Sequence, residues 1–323
     1  MFPQSTHPGN MPIRVLAYNI LNKFELEGLK TFPNFKEAID KGLISPGLKY
    51  HIEKETLKSP FARCETKQIN IQEVFLSFMW SFSYSLFIIV EKGIQERVTK
   101  PEWKGEIIFD TDLLIKANQL LSWALTLNVF YSDWDLDLPN PERPNSKDEQ
   151  FYAEKLNGLY ENATCYVLFH EFAHLSLDHC EFAKTVRGKN ISNLTAEEIS
   201  KFKQLEAQAD EFAFNALVNG SENEQEKFYK GVAIILANCA MLFMVHNPKV
   251  IKQIKHPDTD IRLETSITNL NLKDPLNEDY IWTVGCFASM KFFSIHNIIV
   301  NISPKDPKSL FKDYMAEFEK IKM

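Results

Sequence analysis

Hydrophobic and polar positions along the chain recur mainly with the period of a helix. In Thr195–Gly220, TAEEISKFKQLEAQADEFAFNALVNG, residues Ile199, Phe202, Ala209, Ala213, Ala216 and Leu217 make one apolar stripe. Thr195 and Glu198 form a T-x-x-E capping box, and Asn219-Gly220 reads as a left-handed stop. A second helix carries Leu159, Ala163, Tyr166 or Val167, Ala173 and Leu177 at spacings of three and four. Earlier in the chain, a long helix is expected from about Gln68 to Arg97, and another beginning at Asp110 or Thr111. Two stretches read as short strands: GEIIFD, Gly105–Asp110, and NVFYSDWDLDL, from Asn128, which alternates apolar and polar positions. Between them and the later helices lies LPNPERPNSKDEQ, Leu138–Gln150. Its Pro139, Pro141 and Pro144 fit neither a helix interior nor a central strand.

That pattern predicts a mainly α (α+β) protein with a small β-sheet. The proline-rich stretch divides residues 1–145, mostly helical with short strands, from residues 146–323, a helical region that carries the chemistry. It serves equally well as a loop within one continuous domain. The apolar run Val74–Val90 contains no charge and sits at the short end of what crosses a bilayer. The polar seam of Ser77, Ser81, Ser83 and Ser85 favours a buried core helix, with a membrane anchor as the alternative.

Composition adds exclusions. The 323 residues are 45% hydrophobic and 24% charged, ordinary for a soluble globular protein. A net charge of -7 argues against nucleic acid as a partner, since phosphate binding needs a basic footprint. The five cysteines, Cys64, Cys165, Cys180, Cys239 and Cys286, are odd in number and show no C-x-x-C, so neither a disulfide framework nor a thiolate zinc site is expected. With no secretory signal in MFPQSTHPGNMPIR, the expected location is the cytoplasm.

The chemistry begins at VLFHEFAHLSLDH, Val167–His179. His170 and His174 lie four residues apart, so both imidazoles project from one helix face and can share one Zn²⁺. Glu171 is turned about 100° round the helix, away from a ligand's place but within reach of a water, which suits a general base. On the second helix Glu206 falls inside the apolar stripe and Asp210 follows one turn later. Buried carboxylates need a positive partner. Glu206 is therefore the expected third ligand, and Asp210 the acceptor that fixes a ligand histidine's tautomer. Three ligands leave a fourth position for water, as catalytic zinc requires. A metzincin would need Gly and His at positions 177 and 180, which here are Leu177 and Cys180. His179 is read as a hydrogen-bonded or exposed histidine. In KHPDTDIRLE, Lys255–Glu264, Pro257 suits a first helical position, and His256 or Arg262 is a candidate to stabilise an oxyanion, against a plain Asp258–Arg262 pair.

HEFAH followed by EAQAD resembles the gluzincin pattern of zinc metallopeptidases, and His256-Pro257 through Arg262 is similar to a stretch of HtpX-type peptidases. With DWDLDLPNPERP ahead of LFHEFAHLSLDH, the layout most resembles the Lit-type phage-exclusion peptidases. The resemblance implies a zincin-like helical core, a zinc-dependent endopeptidase activity, a protein or peptide substrate (a translation elongation factor) and a role in bacterial phage defence. The rival readings are a non-catalytic defence or toxin-type binding protein with a structural metal site, and a membrane-anchored metallopeptidase.

Overall fold

The computed structural model describes residues 9–31, 35–42, 48–98, 100, 106–245, 247–303 and 305–322. Its elements run α1 (Ala17–Thr31), α2 (Phe35–Asp40), β1 (Lys49–His51), β2 (Phe61–Arg63), β3 (Gln68–Gln72), α3 (Glu73–Ile88), α4 (Glu96–Val98), α5 (Asp112–Thr126), α6 (Lys147–Ser176), α7 (His179–Thr185), α8 (Ala196–Val218), α9 (Glu224–Phe243), α10 (Thr259–Leu270), α11 (Pro275–Ile295) and α12 (Pro307–Ile321). The protein is mainly α with one three-stranded sheet of order β1-β3-β2. β1 pairs parallel to β3, with Tyr50 opposite Ile71, and β2 pairs antiparallel to it, with Ala62 opposite Ile69. β2 is thus an edge strand.

The two long helices that matter start where local chemistry dictates. Ser146 caps α6 by accepting from the Glu149 N–H. The Glu149 carboxylate in turn takes the Asn145 N–H at 2.7 Å and Lys116 Nζ at 3.1 Å. At the start of α8 the Thr195–Glu198 capping box is present in both directions. α6 lies at the centre, packed against α1, α3, α8 and α9.

All of α3 is buried, from Glu73 to Ile88. Trp80 stacks on Tyr84 with ring centroids 4.9 Å apart and donates through Nε1 to Asn157 Oδ1 at 2.9 Å. The helical run Glu73–Val98 is long and apolar enough to cross a membrane, and its apolar window is wholly covered by the rest of the protein. At the other end of the chain, Lys322 Nζ reaches Asp260 at 2.7 Å and Asp258 at 3.2 Å, pinning the end of α12 to the start of α10.

Several sequence expectations need correction. Residues 68–72 are strand rather than the first turn of a helix; the helix begins at Glu73 and passes through a π-helical turn, Ile89–Gln95. Residues 106–110 pair with no strand, and Gly105 lies outside the described residues. The stretch from Asn128 is turn and coil. In 106–110 Ile108 and Phe109 are exposed, and after Asn128 only Trp134 and Leu138 are buried up to residue 138, so apolar content over so few residues does not mark a strand. Asn219 and Gly220 adopt no left-handed conformation; Asn219 is right-handed at φ -68°. Pro257 precedes the N-cap, Asp258, and α10 starts at Thr259. Finally, Cys64 and Cys180 form a disulfide across 116 residues of sequence, and Cys165, Cys239 and Cys286 are buried free thiols. No spacing motif announces a bond between residues so distant in the chain; the fold alone brings them together.

Candidate metal centre

α6 and α8 pack closely because α8 presents Ala209 and Ala213 to the interface, both fully buried. Small residues there let ligand-length side chains from the two helices meet. His170 Nε2 and His174 Nε2 lie 3.2 Å apart. Glu206 Oε2 is 3.2 Å from His170 Nε2, and Glu206 Oε1 is 3.5 Å from His174 Nε2. One ligand atom from each of the three residues falls within 4.8 Å of the others, a set that can hold a metal ion.

The hydrogen bonds fix which nitrogen faces inward. His170 Nδ1 donates to Asp210 Oδ1 at 2.8 Å, so its Nε2 offers a lone pair to the group. Arg262 holds Asp210 from the other side, Nε to Oδ2 at 2.7 Å and Nη2 to Oδ1 at 2.5 Å. This is a bidentate fork on a buried carboxylate. The plain Asp258–Arg262 ion pair, the alternative for this stretch, does not form; Asp258 instead accepts from the Gln253 N–H and faces Lys322. Two inward lone pairs beside a carboxylate repel one another unless a cation or a shared proton lies among them. Two nitrogens and one oxygen, with a fourth direction open to a cavity, suit a tetrahedral ion of borderline softness.

Charge state follows the same logic. Burial alone would lower the His170 pKa, but Asp210 and Glu206 carry it up to about 10 when no ion shares their charge. Burial opposes the charged form of Asp210 too, and Arg262 and His170 overcome it, holding it down to about 2. Glu206 is likewise held well below the usual carboxylate range, against its burial, by the three imidazoles of His170, His174 and His256. Glu171 moves the other way: burial raises it, the facing histidines and the Ala62 N–H only partly compensating.

A cavity of about 390 Å³ opens over this group. Glu171 lines it beside His170, His174 and Glu206, and its Oε2 accepts the Ala62 N–H of edge strand β2 at 2.7 Å. His256 also lines it, with Nδ1 2.7 Å from Glu206 Oε2 and its side chain 45% exposed. All seven residues singled out in the sequence, His170, Glu171, His174, Glu206, Asp210, His256 and Arg262, therefore meet in one place. Sequence reasoning missed Ala62, because a backbone N–H leaves no residue-type signal. It also missed Tyr166, which with Arg262 separates this cavity from a neighbouring one of about 780 Å³ between α8 and α10. Tyr166 was legible only as one of two candidates for the apolar stripe.

Two imidazoles, one carboxylate beside them and another beyond their reach but on the same cavity define a hydrolytic type of site. The chain belongs to the Peptidase U49 family: that family's sequence model matches residues 69–285, more than half of the chain and every one of the seven residues. It is a peptidase, and its substrate is protein or peptide. No curated protein and no solved structure matches the chain.

Proposed function

We propose that the protein is a zinc-dependent endopeptidase of gluzincin type, acting in the cytoplasm and, by its resemblance to the Lit-type peptidases, in bacterial defence against phage with a translation elongation factor as target. The observation that carries the catalytic part is the convergence of His170, His174 and Glu206 from two helices beneath a cavity that Glu171 also lines. Bound there, zinc supplies Lewis acidity that polarises the scissile carbonyl and brings the pKa of a water towards neutrality.

The chain's own groups do the rest. His170 and His174 present Nε2 and Glu206 a carboxylate oxygen. Asp210 keeps the His170 hydrogen on Nδ1, and Arg262 keeps Asp210 charged and aligned. Glu171 removes the proton of the attacking water on its carboxylate and delivers it to the leaving amine. The Ala62 N–H holds one oxygen of Glu171 and so sets its orientation. Burial raises the Glu171 pKa, which helps a group that must both take and give a proton near neutral pH. His256, part-exposed at the cavity wall, stabilises the oxyanion that develops on the substrate. Arg262 lines the same wall but spends Nε and Nη2 on Asp210, so its first role is to position.

Glu171→Gln is the direct test. The variant retains one zinc per chain by metal analysis and loses about 10²–10⁴-fold in turnover on a cell-lysate digest read by mass spectrometry. Turnover at the wild-type rate would remove Glu171 from this role.

A further inference from the structure

The two metal-facing histidines are supported differently. His170 has a carboxylate, Asp210, on its outer nitrogen. His174 has another imidazole: His179 Nδ1 lies 3.0 Å from His174 Nδ1. Between two such nitrogens one must donate and the other accept. His174 turns Nε2 to His170 and Glu206, so its hydrogen sits on Nδ1 and His179 Nδ1 is the acceptor. The His179 hydrogen is then on Nε2. That atom is buried and has no hydrogen-bond partner among the described residues, while the His179 side chain lines the same cavity as Glu171.

His179 does not reach this place by continuing α6. The chain reverses at Asp178, which adopts the left-handed conformation at φ 59°, and α7 begins with His179 folded back on His174. The next residue, Cys180, is bonded to Cys64, which follows edge strand β2. A strained turn on one side and a covalent link on the other hold the ring where it is.

We infer that His179 is a positioning residue for His174, its Nδ1 lone pair selecting the tautomer that aims His174 Nε2 at the metal. This rests on the zinc-peptidase reading above.

Three substitutions in the full chain test the inference. Asparagine places an acceptor oxygen near Nδ1 and nothing at Nε2. Glutamine reaches the Nε2 position and leaves the Nδ1 position empty. Phenylalanine offers neither. Zinc affinity is measured by competition with a chromophoric chelator. His179→Asn should stay within about threefold of wild type, while His179→Gln and His179→Phe should weaken by about 10–100-fold. Equal zinc affinity in all four proteins overturns the positioning role. If circular dichroism shows the phenylalanine variant unfolded, the asparagine–glutamine contrast still decides. A wild-type chain that takes up no zinc sinks this inference together with the reading beneath it. Stoichiometric zinc, inactivation by Glu171→Gln and silent His179 variants sink this inference alone.

Discussion

Two helices run through the interior, and they carry buried polar groups in opposite ways. α3 is covered along its whole length and holds Ser81, Ser83 and Ser85, whose hydroxyls have no hydrogen-bond partner among the described residues. α6 is covered along most of its length and holds His170, Glu171 and His174, each met by a group from another element: Asp210 of α8, Ala62 of β2 and His179 of α7. A hydroxyl is small and neutral, so leaving it unpaired is tolerable. An imidazole or carboxylate is not, and its burial persists only where partners converge. The contrast teaches that the number of polar residues on a covered helix says little; the residue types, and what faces them, say where the chemistry is.

The comparison can be broken at four points below the Glu171→Gln test. Arg262→Ala leaves Asp210 buried without its cation and should destabilise by about 3–5 kcal/mol in denaturant unfolding, with weaker zinc binding, because His170 loses its alignment as well. On α3, Trp80→Ala should cost about 3–5 kcal/mol through cavity formation yet leave zinc affinity as it was. A change in zinc affinity there would mean that α3 shapes the site and the contrast is false.

Glu73 gives a smaller effect with a definite sign. It is the carboxylate on α3, accepting the Asn10 and Met11 N–H groups, and burial raises its pKa. The folded state therefore holds the Glu73 proton more tightly than the unfolded chain does. The stability this contributes is fully present below the unfolded value and is lost as pH rises through the folded one. Relative to wild type, Glu73→Gln should gain in Tm as pH is raised from about 4.5 to 7. A gap that stays constant, or closes, would contradict the shift. Smallest of all, Ser83→Ala should lie between neutral and about 1 kcal/mol more stable than wild type by thermal unfolding, since its buried hydroxyl has no hydrogen bond among the described residues to lose.

What could be read in the sequence follows the same divide. α8 was legible with its capping box, because Thr195, Glu198 and the stripe through Ala209 are local signals. The residues gathered at the site were legible because His170, His174, Glu206 and Asp210 interrupt faces that burial would otherwise keep apolar. The sheet was not: β1 and β2 have three residues each, too few for a period, and Gln68–Gln72 runs straight into α3 and shares its apolar character. The strands were sought at 105–110 and after Asn128, where the apolar residues belong to irregular segments, Ile108 and Phe109 among them exposed. Pairings that depend on the path of the chain, such as Cys64 with Cys180 or Ala62 with Glu171, have no local trace at all.

The bond between Cys64 and Cys180 has a further consequence. It closes a ring that contains α3, α5, α6 and the exposed turn Arg143–Ser146, while Glu206 lies outside it. A single nick in that turn would leave both fragments tethered, travelling as one band on a non-reducing gel and as two after dithiothreitol. For a protease exposed to others of its kind, a cut in this turn falls inside a closed loop, where one hit does not let the pieces part.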